Sequence, residues 1–391
     1  MRLIQLFLIA SLLTIPSTPL LASDDLLNAG RASSIDFLLD NAIRRGLISG
    51  GVVAIGNHKG ILYGTARGSL FQTPGSPALS ERTLFDIASL TKVIATTPAV
   101  MKLLEAGRIN LLDPITRWFP ELEGSGREEI TLLNLLTHTS GIDDMEIPAD
   151  DSLKKALIKT AAQNSPPPGD RFRYADINFI LLGEMVQRVS GLSLDRFCSE
   201  QVFAPLGMAD TQFLPQADLA ALIAPTAGVN RALSSGIVQD MNARRLGGVA
   251  GHAGLFSNVS DLTRFAGMIL NQGSYKGVKL FDERTVAQMT APYFYSKGRI
   301  IRGLGWDINS PFSAPKGNHF SAMSFGHTGY SGSSMWIDPE QDLFVVMLTI
   351  RLDYQDVRQF SRLRSDISTM AVSIFSNPRM ADEISNSSQQ P

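Results

Sequence analysis

The 391-residue chain has one cysteine, Cys198, so no internal disulfide can form. It lies in the helix-like stretch Leu194-Asp195-Arg196-Phe197-Cys198 with no evident partner. It reads as a packed core thiol rather than a nucleophile. Histidine is also scarce: there are five, with no H-x-x-x-H spacing. The usual zinc motifs are thereby excluded, and no metal is expected. There is no Walker motif or dinucleotide fingerprint, and no organic cofactor is expected. A G-x-S-x-G elbow is missing too, which argues against an α/β-hydrolase lipase. The formal charge is only −2 with no basic block, so nothing points to nucleic acid.

Long apolar runs are confined to the start. Arg2 precedes a mostly apolar run, Leu3 to Ile15, too short to favour a transmembrane span. Pro16 to Ser23 ends in small residues, with cleavage expected after Ala22 or Ser23. Residues 1–23 therefore read as a signal peptide, and the mature protein is expected to be exported, periplasmic or secreted. The segment has no cysteine, so no lipid anchor is expected.

Residues 24–33 read as an extended lead and 34–47 as a helix, from Ile35, Phe37, Leu38, Ala42 and Ile43. Two apolar runs, Gly50 to Ile55 and Ile61 to Ala66, flank Gly56-Asn57-His58-Lys59-Gly60, a hairpin signal. Residues 110–290 are mostly helical segments broken by Pro and Gly loops. Strand patterns return at Gly303 to Ile308, Ser333 to Ile337 and Leu343 to Ile350, followed by a helix over 357–376. The fold class is α+β: an antiparallel sheet flanked by helices, with an inserted, mostly helical region. The expected domain spans 34–376. Its sheet part is 34–100 and 295–376, its helical part 101–294, and 377–391 form a disordered tail.

What the chain does have is Ser89-Leu90-Thr91-Lys92, an S-x-x-K motif at the start of a helix-like run ending at Gly107. Residues three apart on a helix share a face, so the Lys92 amine can reach the Ser89 hydroxyl. A serine needs a neighbouring base before it is a useful nucleophile. The spacing also occurs at Ser152…Lys155 and Ser313…Lys316; the apolar approach through Leu84, Phe85, Ile87 and Ala88 sets Ser89 apart. A plain N-cap is the competing reading. Two more clusters matter: Arg173-Tyr174-Ala175-Asp176-Ile177-Asn178 before a helix, and Gly326-His327-Thr328-Gly329-Tyr330 at a strand. A tyrosine beside Ser89 could relay a proton if a nearby cation lowers its pKa.

In this order the clusters resemble the serine β-lactamase and penicillin-binding-protein superfamily, in its class C branch with a tyrosine second motif. The likeness spans about residues 34–376. Leu135-Leu136-Thr137-His138-Thr139-Ser140-Gly141 and Gly247-Gly248-Val249-Ala250-Gly251-His252-Ala253-Gly254 are similar to the same branch. The resemblance implies Ser89 as acylated nucleophile, with Lys92 and Tyr174 sharing acid and base work. It implies the backbone N–H groups of Ser89 and Tyr330 as oxyanion hole, and Asp176, Asn178, His327, Thr328 and Gly329 as substrate contacts.

Two residues depart from the pattern. Asp176 replaces the asparagine of Y-x-N and, being acceptor-only, can pair with Lys92 and keep it protonated. That pairing would leave Tyr174 as the base, with Asn178 taking over some amide contact. His327 replaces the lysine of K-T-G and is expected to be partly charged near neutral pH. The implied function is an exported serine hydrolase working through an acyl-enzyme. Peptidoglycan-derived amides such as muramyl peptides are the expected substrates, with cell-wall association as a possible partner relationship. A β-lactamase or D,D-carboxypeptidase, a promiscuous carboxylesterase, and a non-catalytic binder of wall fragments are the alternatives. His252 is read as structural, His138 as serving a helix end, and the three tryptophans as core or cleft wall.

Overall fold

A computed structural model describes residues 23–149, 152–163, 166–227 and 233–376. The proposed signal segment before Ser23 and the proposed tail from 377 lie outside the described residues. The architecture is an antiparallel sheet with helices, in the α+β class expected. The chain enters through α1 (Ser23–Arg44), then β1 (Ile48–Asn57) and β2 (Gly60–Gly68). Among the helices that follow are α2 (Thr97–Glu105), α3 (Asp176–Ser190) and α4 (Val259–Leu270). The sheet resumes with β3 (Tyr293–Tyr295), β4 (Ile300–Arg302), β5 (Asp307–Asn309), β6 (Phe325–Thr328), β7 (Ser334–Asp338) and β8 (Leu343–Arg351). Helix α5 (Val357–Phe375) closes the fold.

The eight strands lie in the order β3-β4-β5-β6-β7-β8-β1-β2. Side chains alternate across a strand, and that sorts the residues into two layers. Val53, Ile55, Val345 and Met347 pack on one face with Ile35 of α1 and Ile367 of α5. Val52, Ala54, Val346 and Leu348 pack on the other with Leu262 and Phe265 of α4. Strands covered on both faces need apolar residues at successive positions, which is why β8 reads as an apolar run from Leu343 to Leu348. Cys198 is fully buried in the second layer.

Three local expectations change. Residues 24–33 are not an extended lead; α1 is continuous from Ser23. Gly303 to Trp306 is a tight turn, closed by the Gly303 N–H donating to the Trp306 carbonyl (2.9 Å), and only Asp307–Asn309 is strand. The run after Ser89 is not one α-helix. It is a 3-10 turn (Ala88–Leu90), a π turn (Lys92–Thr96) and then α2.

Candidate active site

Ser89 is presented by a tight turn. Ala88 has φ +46°, a left-handed conformation that is uncommon outside glycine. Asp86 holds it, its Oδ1 accepting from the Ala88 N–H at 2.9 Å, while the Thr91 hydroxyl donates to the Ala88 carbonyl at 2.6 Å. Asp86 is buried, and burial pushes its carboxyl up to about 6. The π turn then directs Lys92 inward, where it has 0 % exposure.

The Lys92 ammonium is surrounded by acceptors. Its Nζ donates to Ser89 Oγ at 3.0 Å and to the His252 carbonyl at 3.0 Å, and pairs with Asp176 Oδ1 at 2.7 Å. Burial alone would lower its pKa; the Asp176 charge outweighs this and holds it above the ordinary lysine range. The departure from Y-x-N thus has the electrostatic effect anticipated from the residue type. Tyr174 lies over the same ammonium, with Nζ 5.1 Å from its ring centre. Burial raises the Tyr174 phenol, Lys92 opposes this and Asp176 adds to it; the net shift is upward. The expectation of a cation-lowered phenol is corrected: burial disfavours a phenolate, and the carboxylate that fixes Lys92 adds to this.

The third cluster arrives on β6. Ser331 Oγ donates to the Asp86 carbonyl (2.6 Å) and Ser333 Oγ to the Ile87 carbonyl (2.9 Å), stitching this turn to the Ser89 turn. A Cβ on Gly329 would collide with the Ile87 carbonyl, so this approach needs glycine. Ser89 and Tyr330 consequently line one cavity of about 300 Å³, together with Tyr174, His327, Thr328 and Gly329.

His327 is 5 % exposed. Burial, with the Lys92 and Arg302 charges, drives its pKa well below the ordinary histidine value, so it is neutral at neutral pH rather than partly charged. Asn178, unlike His327, does not line the cavity. It is fully buried, with Oδ1 accepting from Ser140 Oγ (2.6 Å) and Nδ2 meeting His138 Nδ1 and donating to the Ala175 carbonyl, both at 3.2 Å.

Several cavity residues escape the sequence reading. The positive charge comes from arginines: Arg302, Arg351 and Arg364 all line the cavity, with Phe312 and Val357 at its mouth. Arg302 pairs with Asp307 at 3.2 Å and donates to the Gly305 carbonyl. Arg364 donates to the Gly329 and Ser333 carbonyls, and burial followed by the Arg351 charge pulls it down to about 9. Arg351 lies 4.6 Å over the Tyr354 ring and 4.4 Å over Phe360. Its Nη2 is buried without a hydrogen-bond partner among the described residues. The available signal was a cation on an apolar stripe: Arg364 lies between Phe360 and Ile367, and Arg351 ends the β8 run. His138 does more than end a helix, since its ring stacks on Tyr174 at 4.4 Å.

The sequence matches the β-lactamase family over residues 38–365. The chain belongs to the β-lactamase family. Within it, the chain is 29% identical over 368 residues to an Escherichia coli (strain K12) protein named "Putative D-alanyl-D-alanine carboxypeptidase", covering 82% of each sequence. The fold of this β-lactamase-family chain is similar to that of a class C β-lactamase, with TM-score 0.74 and 20% identity, over 90% of this chain and 98% of that one. It is similar also to a β-lactamase/D-alanine carboxypeptidase from Pseudomonas syringae, with TM-score 0.73 and 19% identity, over 89% and 100%. The family makes the chain a serine hydrolase.

Proposed function

We propose that this hydrolase cleaves the C-terminal residue from peptidoglycan-derived peptides, in the manner of a D,D-carboxypeptidase, through an ester on Ser89. The observation that carries this reading is that Arg351, whose buried Nη2 has no hydrogen-bond partner among the described residues, lines the cavity that also holds Ser89. A buried donor without a partner is costly, and a guanidinium keeps its charge, so a carboxylate is the natural ligand. The neutral His327 supplies no charge for a carboxylate, and the arginines that line the cavity supply it instead. The carboxypeptidase-named relative supports the same substrate class. Muramyl peptides fit it as larger members, and a wall substrate agrees with export as proposed for residues 1–23.

In this scheme Ser89 Oγ attacks the substrate carbonyl carbon. The neutral Tyr174 phenol takes the serine proton as it gives its own to the leaving nitrogen, so no phenolate need form. The Lys92 ammonium stabilises the developing charge on Ser89 Oγ, and the Ser89 and Tyr330 N–H groups stabilise the carbonyl oxygen. Water then reverses the sequence and hydrolyses the ester. Thr328 and Gly329 line the substrate's path along β6.

The test uses diacetyl-L-Lys-D-Ala-D-Ala, its C-terminal amide, and p-nitrophenyl acetate. Release of D-Ala from the acid, weaker cleavage of the amide, and loss of both in Ser89→Ala are expected. Turnover of the ester with no cleavage of the peptide acid would assign the protein to the esterases instead.

A further inference from the structure

The His252 loop is bound to the nucleophile segment at four points. Thr96 Oγ1 donates to the Gly251 carbonyl (2.6 Å), Lys92 Nζ to the His252 carbonyl (3.0 Å), the Leu255 N–H to Thr91 Oγ1 (3.2 Å), and the Ile87 N–H to the Leu255 carbonyl (3.0 Å). Gly251 has no space for a Cβ, which would strike the Phe179 carbonyl and Gly183. The His252 ring is 1 % exposed, and its Nε2 lies 2.8 Å from Asp240 Oδ1. Asp240 comes from a separate segment, where it also caps the Met241–Arg245 helix through the Ala243 N–H at 2.7 Å. The neighbouring Gln239 N–H donates to Asp86, the residue that holds the Ser89 turn.

We propose that Asp240 and His252 form a positioning dyad for Lys92: the carboxylate fixes the imidazole, and the fixed residue holds its main-chain oxygen on the ammonium. This rests on Ser89 as the acylated residue. Ser89 Oγ and the His252 carbonyl accept from this ammonium, while Asp176 pairs with it by charge and Tyr174 faces it. Losing the His252 acceptor lets Nζ swing out of line with Ser89 Oγ. The dyad has an electrostatic side as well. Burial raises the Asp240 carboxyl, but its His252 bond and the Lys92 charge carry it down to about 2. By reciprocity, Asp240 favours the charged form of Lys92. The other groups facing that ammonium are Asp176 and Tyr174 near the start of α3, with the His138 and His327 imidazoles beyond.

The experiment follows the rate at which a fluorophosphonate probe labels Ser89, from about pH 6 to 11, with a thermal melt on every variant. Ser89→Ala is the control for the underlying reading; label that persists in it overturns that reading separately. In His252→Ala the labelling rate should fall roughly 10- to 100-fold, the scale of a misplaced catalytic group. His252→Gln places an amide N–H toward Asp240 and should recover to within about threefold. Asp240→Asn keeps the helix cap, and its labelling should decline at lower pH than wild type because Lys92 loses its proton sooner. A purely structural histidine predicts otherwise: Gln gives no recovery, or Asp240→Asn leaves the pH profile where it was. Either of those results, or wild-type labelling in His252→Ala, overturns the dyad.

Discussion

Lys92 Nζ lies closer to Asp176 Oδ1, at 2.7 Å, than to Ser89 Oγ, at 3.0 Å. In the proposed scheme the lysine of the S-x-x-K motif is therefore a charge held against the serine, not a free amine waiting to take its proton. Asp176 raises the Lys92 pKa, so the ammonium persists far into the alkaline range. Asp176→Asn should lower that pKa and move the alkaline decline of kcat/KM to lower pH. A pH–rate profile of both proteins on p-nitrophenyl acetate measures this, and an unmoved alkaline limb would show that Asp176 does not set the charge.

Ser89→Ala should abolish turnover and probe labelling while leaving the melting temperature within a few degrees of wild type. The side chain is small and its removal opens no cavity. Intact-mass spectra after probe treatment read this directly.

Tyr174→Phe should slow the chemical step by about 10²- to 10⁴-fold, the usual scale for a lost general acid or base. The ring stays, so its stacking on His138 at 4.4 Å is retained. Normal acylation and deacylation in this variant would make Tyr174 a packing residue.

Arg351→Gln should raise KM for a carboxylate-terminated peptide by roughly 10- to 100-fold, the loss of one charge-assisted hydrogen bond. The C-terminal amide should be affected little. Wild-type affinity for the acid should stay level from about pH 6 to 8, since His327 is already neutral there. Steady-state kinetics on the acid and amide pair measure both. An equal change for acid and amide removes Arg351 as the charge reader.

Asp86 gives a stability signature. Its folded pKa, about 6, exceeds the ordinary carboxyl value, so the folded state binds its proton more tightly than the unfolded chain. Its contribution is present below the unfolded pKa and is lost as pH rises through about 6. Asp86→Asn, which cannot titrate, should flatten that part of the melting-temperature curve. An unchanged slope between about pH 4 and 6 would exclude Asp86 as its source.

Much of the fold is legible in the sequence. The hairpin at Gly56–Gly60, the β8 run and the α3 helix closing at Gly191 follow from local period and turn chemistry. The identity of Asp176 also foretold its pairing, because a carboxylate beside a lysine has one favourable outcome. His327 was misjudged because its charge depends on burial and on Arg302 and Lys92, which reach it from other elements. Asn178 looked available for substrate because sequence does not reveal that Ser140 and His138 already occupy its amide. The arginines were missed for a similar reason. Each stands alone in its own segment: the packing of α5 across β8 joins Arg364 to Arg351, and Arg302 reaches the same cavity from β4. The turn at Ala88 defied the helical pattern because Asp86 and Thr91 impose a backbone state that propensity alone would not select.

The adjacency of β1 and β8 carries a consequence for how the protein acquires activity. These two strands pair from Ile48↔Arg351 to Gly56↔Phe344, joining residues about 300 positions apart. Contacts of such long sequence separation form late, after the loop-closure entropy has been met. Ser89 precedes that closure in the chain, whereas Tyr330, Arg351 and Arg364 follow most of the intervening region. A nascent or partly folded chain would thus hold its serine without the arginine-lined wall of the cavity, so competence should appear in a single late step of folding, not by degrees.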